Sequence, residues 1–189
     1  MVAAIILLPV AIAMILPLAC IIVFADRISP LYFQRRLGKD SKPFTCVKLQ
    51  TMRPTTDETE ISDQDKNTLR QTNIGAWFRD HSLDELPQLV NIITGSMTFI
   101  GPRPLHANDY MRMRRLFSDA ALFKQWQDLR LSVRPGLSGW QQVHTDGMTL
   151  EGASYDAAYL TRPTLTRKLH VIVYSVIVVA IGKRSYFNK

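Results

Sequence analysis

"SLDELPQLVNIITGSMTFIGPRPL", residues 82–105, passes from a helix to a strand within one short stretch. Leu86, Leu89, Val90 and Ile93 recur at helical spacing and would line one buried face, and Gly95 stands where such a helix ends. "MTFIGPRPL", residues 97–105, then reads as a short strand running into a rigid turn with two prolines. At the head of the stretch two carboxylates, Asp84 and Glu85, lie side by side in a frame of leucines. Ser82 followed three residues later by Glu85 matches a capping box, in which hydroxyl and carboxylate satisfy the free N–H groups of a first helical turn. Asp84 would itself serve as an N-cap, and Pro87 is tolerated only near a helix start. The same pair is chemically suited to a reaction centre. Spacing alone leaves both readings open.

Upstream, Ile74, Trp77 and Phe78 mark a short helix, and "KPFTCVKLQTM", residues 42–52, has the β-branched, alternating character of a strand. Between them "RPTTDETEISDQDKN", residues 53–67, is polar and acidic without apolar periodicity, which predicts an exposed loop. Downstream, Asn108 to Arg130 reads as helix, with Tyr110, Met113, Leu116 and Phe117 on one side and Arg112 and Arg115 on another. "RPGLSGWQQV", residues 134–143, is a second Pro/Gly turn that would deliver Trp140 towards a strand. "LHVIVYSVIVVAI", residues 169–181, is apolar for only ~20 Å as a helix, too short to span a bilayer and better suited to a core or interfacial element. The fold class expected is α+β, mainly helical with a few short strands.

From Val2 to Ala25 there is no charged side chain. As one helix this segment would be about 36 Å long, enough to cross a hydrocarbon layer ~30 Å thick. Pro9 and Pro17 each remove a backbone hydrogen bond and favour a kink, so a re-entrant, proline-broken helix is expected, with Pro17 the better break point. A cleaved signal peptide fits less well, because the basic leader is missing and the apolar run is too long. Between Arg27 and Arg53 seven basic residues face one acid, Asp40. Positive charge beside an apolar segment stays in the cytoplasm and suits anionic headgroups. The chain thus divides into a membrane anchor, residues 1–25, and one cytosolic domain, residues 26–189.

The whole sequence of 189 residues carries a formal charge of +7, which calls for an anionic partner. No recognition helix or stacking platform accompanies that charge, so nucleic acid is not expected. Cys20 and Cys46 have no neighbouring Cys or His at zinc-ligand spacing, and the four histidines are scattered. Neither a disulfide framework nor a zinc site is expected. Three segments aim basic side chains from rigid or small-residue turns: "GPRPL" holds Arg103, "RPGLSGW" follows Arg134 into its turn, and "KLQTMR" holds Lys48 and Arg53. A guanidinium fork fixed in this way suits phosphate oxygens.

Taken in order, "FQRRLGKDSKPFTCVKLQTMR", "SLDELPQLVNIITGSMTFIGPRPL" and "RPGLSGWQQV" closely resemble the bacterial sugar transferase family, the monotopic phosphoglycosyl transferases. The resemblance runs from about Asp26 to Lys183, and the anchor matches in kind. It implies transfer of a phosphosugar from a UDP-sugar donor to a polyprenyl phosphate acceptor, releasing UMP, at the cytoplasmic face of the bacterial inner membrane, as the first step of surface glycan assembly. It implies that Asp84 attacks the β-phosphorus and that Glu85 holds Mg²⁺. It places Pro102, Arg103 and Pro104 at the donor, with Arg134, Lys48 and Arg53 as further phosphate contacts. Membrane lipids are the remaining partner implied, and a homo-oligomer is left open.

The chain departs from the family pattern at Gln50 and near Asn73, where basic residues are usual, at Ser96, where an acid is usual, and over His144 to Gly147, which reads "HTDG" for "NGR". These departures leave the donor sugar open. Two other functions fit the residues: a membrane-anchored basic scaffold that binds acidic lipids, with the acid pair as a cap, and a metal-dependent nucleotide-sugar hydrolase.

Overall fold

The computed structural model describes residues 2–53, 70–145 and 148–187. The expected acidic loop therefore lies outside the described residues beyond Arg53, as do Asp146 and Gly147.

Helix α1 runs from Val2 to Ile21 with Pro9 and Pro17 inside it. The expected division at a proline is not made. A proline deletes one hydrogen bond, and the remaining apolar turns keep their own, so the helix continues through both positions. The irregularity comes later, in a π-helical turn at Ile22–Asp26 that ends on Arg27 in the left-handed region. One seam of α1 rests on the rest of the protein. Ala4 and Ala11 pack with Cys46, Leu89, Ile92 and Met97, and Ile15, Leu18 and Ile22 follow along the same side towards Leu49, Phe78 and Leu83. Alanines at the seam let the helix approach closely. The other faces, with Val2, Ile6, Val10 and Leu16, are exposed. Val2–Asp26 is the one segment among the described residues long and apolar enough, by length and composition, to cross a membrane.

Strands β1 (Leu31–Leu37) and β2 (Pro43–Leu49) form an antiparallel hairpin in which Tyr32 faces Lys48 and Gln34 faces Cys46. β1 was not expected, because its alternation is masked by Arg35 and Arg36. The free edge of β2 is closed by a side chain: the Asn91 amide accepts from Val47 N at 3.1 Å and donates to the Thr45 carbonyl at 2.7 Å. Asn91 belongs to the short helix α3 (Leu89–Ile93), which follows a 3₁₀ turn over Leu83–Gln88. Before that turn comes α2 (Asn73–Asp80), capped by Thr72, whose hydroxyl accepts from Gly75 N at 2.9 Å and donates to Asp26 at 2.8 Å. The end of the apolar segment is thereby tied to the start of α2. Gly95, at φ +80°, ends α3 as expected.

The two Pro/Gly segments meet. β3 (Thr98–Ile100) pairs in parallel with β4 (Gly136–Ser138), and Pro102 O accepts from Gly136 N at 2.9 Å. The backbones pass so closely that a Cβ on Gly136 would lie 2.1 Å from Gly101 N. Trp140 begins a helix, α6 (Trp140–His144), directly after β4 and does not enter a strand. The long helix expected over 108–130 is two helices, α4 (Ala107–Leu116) and α5 (Ala120–Leu131). Asp119 divides them, since its carboxylate accepts from Ala121 N and Leu122 N and so starts a new helix. Together with α7 (Leu150–Thr161) these helices enclose a core of Leu105, Met113, Phe123, Trp126, Leu131, Met148 and Ala153. α8 (Leu165–Ile181) buries Val171, Tyr174 and Val178 and exposes Leu165, Leu169, Ile172, Val173 and Val176. A short helix, α9 (Lys183–Phe187), follows it. The whole is α+β, mainly helical with few short strands.

Candidate active site

Ser82 adopts φ +56° and makes no side-chain cap. The capping box is therefore absent, and Asp84 is not an N-cap but sits within the 3₁₀ turn. The tight turn exists because Pro87 and the preceding left-handed residue prevent a regular α-helix from starting at Ser82. Its consequence is chemical: Asp84 and Glu85 are both turned into the protein, where a cap would have faced solvent.

The two carboxylates meet different surroundings. Lys48, from β2, donates to Glu85 Oε1 at 2.7 Å, and both side chains are largely buried. Asp84 is 6% exposed, and its Oδ1 is buried with no hydrogen-bond partner. Burial acts on both acids to raise their pKa. For Glu85 the charges of Lys48, Arg103 and Lys183, together with the Lys48 hydrogen bond, overcome it and hold the carboxyl down at about 2. For Asp84 burial prevails, reinforced by the neighbouring Glu85 and only partly opposed by Lys48, Lys183 and Arg79, so its pKa is raised. Two adjacent acids pushed in opposite directions have separate roles. Glu85 is a fixed anion, and Asp84 carries lone pairs that no donor engages.

A cleft opens beside the pair. Lys48, Glu85, Arg103 and Pro104 line it, with Arg36 and Gln142. The turn "GPRPL" thus places Arg103 on the wall of the cleft, with Glu85. Pro102 is buried and acts through its carbonyl bond to Gly136, not as a wall of the cleft. Arg53 and Arg134 are exposed and line neither this cleft nor the cavity adjoining it. Arg53 instead exchanges backbone and side-chain bonds with Arg70.

Three cations went unread in the sequence. Arg36 donates to Pro104 O at 3.0 Å and to Asp109 at 3.1 Å, bracing the proline turn from the hairpin. Arg130, 3% exposed, pairs with Asp156 and donates to the Arg103 carbonyl. Lys183 reaches the site from the end of the chain. The contacts that tie Arg36 and Arg130 to the site span 26 to 73 residues and leave no local signal.

Among the described residues no cluster of three or more His, Cys, Asp or Glu could cage a metal. The donor set does fit a hard cation that keeps few protein ligands: Glu85, an anion on the cleft wall, would offer a carboxylate to Mg²⁺ shared with substrate phosphates.

A model of the bacterial sugar transferase family matches residues 1–182. The UDP-glucose:undecaprenyl-phosphate glucose-1-phosphate transferase of Escherichia coli (strain K12) is 30% identical over 96% of this chain and 40% of its own length. The protein of the same name from Xanthomonas campestris pv. campestris is 35% identical over 83% of this chain and 33% of its own length. The exopolysaccharide production protein ExoY of Rhizobium meliloti (strain 1021) is 31% identical over 86% of this chain and 75% of its own length. The chain thus spans less than half of the first two relatives and most of the third.

Proposed function

The chain belongs to the bacterial sugar transferase family, and from that premise we propose that it transfers a phosphosugar from a UDP-sugar to polyprenyl phosphate through a phosphosugar held on Asp84. The observation that carries this reading is the asymmetry of the acid pair: Glu85 is locked as an anion by Lys48, while Asp84 is buried with Oδ1 unengaged. A carboxylate largely withdrawn from solvent, with one oxygen engaged by no donor, is a nucleophile with little shell to shed.

In the first displacement an Asp84 oxygen bonds to the β-phosphorus. The bond from that phosphorus to the bridging oxygen breaks, and UMP leaves with the oxygen and its electron pair. In the second, a polyprenyl phosphate oxygen bonds to the same phosphorus, the aspartyl–phosphorus bond breaks, and the products are polyprenyl-diphosphate-sugar and free carboxylate. Splitting the transfer lets a water-soluble donor and a lipid acceptor use the site in turn. Arg103 and Lys48 stabilise phosphoryl oxygens as charge moves between them. Mg²⁺ bound by Glu85 together with donor phosphates would neutralise the charge that opposes an anionic nucleophile.

Relatives named for UDP-glucose and undecaprenyl phosphate support a nucleotide sugar as donor and a polyprenyl phosphate as acceptor. ExoY, named for exopolysaccharide production, supports a role in surface glycan assembly. The exposed apolar faces of α1 and α8 suit a lipid surface, and the basic residues after Ala25 favour the cytoplasmic side of the inner membrane for the catalytic body. The test is a panel of UDP-sugars with undecaprenyl phosphate and Mg²⁺, following UMP release and the mass of the intact protein. A phosphosugar adduct on Asp84 that disappears when acceptor is added is the expected result. Steady sugar phosphate release without acceptor would instead identify a hydrolase.

A further inference from the structure

We propose that Lys183 is a donor-binding cation of the Asp84–Glu85 site and that Asp80, at the end of α2, is the positioning residue that holds it there. The inference rests on the transferase reading above and adds to it a residue beyond the stretch that the family model matches.

The geometry is a clasp between two distant parts of the chain. Asp80 Oδ1 accepts from Arg184 N at 2.9 Å, across 104 residues. Arg184 is the second residue of α9, so Asp80 caps a helix that is not its own, and its charge faces the positive end of that helix. Gly182, at φ +84°, permits the approach: a Cβ there would lie 2.3 Å from Asp80 Oδ2. Lys183 stands between these two anchored residues, so the clasp fixes the backbone from which its side chain departs.

Lys183 also lines a second cavity adjoining the cleft, with Thr145, Tyr174 and Phe187, and Arg103 and Gln142 are common to both. Arg103 and Lys183 are two cations on the walls of one cavity that no carboxylate among the described residues lines, beside an acid pair already neutralised in part by Lys48. Such a pair of cations suits phosphate oxygens, and the aromatic walls suit a planar or sugar ring. The chemistry called for is that of a nucleoside diphosphate, with the phosphates between Arg103 and Lys183. The alternative for Lys183, a counter-ion to Asp84 alone, requires no cavity and no clasp.

UDP is the probe, measured by calorimetry on the full chain in detergent with Mg²⁺, alongside transfer from whichever UDP-sugar the wild type turns over. Lys183→Gln is expected to weaken UDP about tenfold or more and Lys183→Arg to recover most of it, as expected for a charge-assisted phosphate contact. Asp80→Ala is expected to weaken UDP in the same direction, and Asp80→Ala with Lys183→Gln to bind no more weakly than Lys183→Gln alone, because one acts through the other. Thermal midpoints above the assay temperature keep a folding defect from counting as lost binding. UDP affinity unchanged in Lys183→Gln, or independent losses in the double variant, would overturn the inference. A wild type that neither binds UDP nor transfers would overturn the transferase reading instead.

Discussion

The Lys48 ammonium lies 2.7 Å from Glu85 Oε1, and this contact gives the acid pair its polarity. It fixes Glu85 as an anion, while on Asp84 burial, reinforced by Glu85, outweighs the opposing charges of Lys48, Lys183 and Arg79. A nucleophile kept in such surroundings is reactive for the reason that it is unstable.

Asp84→Asn is therefore expected to abolish phosphosugar transfer and to stabilise the protein at neutral pH. The folded-state pKa of Asp84 is raised above the unfolded value, so the ionised group favours the unfolded chain. Its penalty is absent below the unfolded pKa and grows as pH rises through the folded one. A gain of ~1 kcal/mol would raise the thermal midpoint by roughly 2–4 °C for a chain of this size. The gain should shrink as the pH is lowered towards 4. A lower midpoint in the variant at pH 7 would contradict this account of the buried carboxylate.

Lys48→Met should have the opposite sign on stability. With its pKa held at about 2, against an ordinary 4.5, Glu85 contributes stability that is fully present above pH ~4.5 and lost as pH falls towards 2. Removing Lys48 leaves a largely buried carboxylate without its partner, at a cost of ~3 kcal/mol at neutral pH. Acid titrations of stability should then diverge: the wild type loses stability steeply between pH 4.5 and 2, and the variant much less. Parallel curves would mean that Lys48 does not hold Glu85 down.

Asn91 is expected to matter as much as any charged residue for placing Lys48. Its amide closes the β2 edge through Val47 N and the Thr45 carbonyl. Asn91→Ala would strand both groups at a part-buried edge, costing ~1–3 kcal/mol, and would free β2 to move relative to the 3₁₀ turn. Asn91→Asp keeps an acceptor for Val47 N and loses the donor to Thr45, so it should fall between the wild type and Asn91→Ala. Thermal unfolding of the three proteins checks the order, and equal midpoints would remove Asn91 from the scaffold of the site.

The parts of the site legible in the sequence were those that lie in one continuous motif. Asp84 and Glu85 adjoin, and Arg103 and Pro104 sit in a turn whose prolines fix its course. Helix α3 and its end at Gly95 followed from apolar spacing and one glycine. The capping box was legible but false, because Ser82 takes a left-handed conformation that local pattern does not reveal. Asp119, which splits α4 from α5, was readable as a cap and was overridden by the apolar periodicity on either side. Arg36 and Arg130 could not be read, since the partners that fix them at the site are 26 to 73 residues away, and the place of Lys183 depends on the bond that its neighbour Arg184 makes to Asp80.

The pair of Arg130 and Asp156 allows fold and function to be separated. Arg130 is buried between α5 and α7, pairs with Asp156, lies 5.3 Å from the Trp126 ring and donates to the carbonyl of Arg103. Asp156→Asn leaves a buried guanidinium without its counter-charge and should cost ~3–5 kcal/mol. Replacing both partners, Arg130→Met with Asp156→Leu, removes the charge and its need for a partner together, so most of that stability should return. The Arg103 carbonyl regains nothing in the double variant, because methionine has no donor to offer it. If Arg130 serves the cleft by anchoring the Arg103 turn, the double variant will be nearly as stable as the wild type yet weaker in kcat/KM, by about tenfold. Recovery of both stability and kcat/KM would show that the ion pair supports the core alone and that Arg103 is held by Pro102, Pro104 and Arg36.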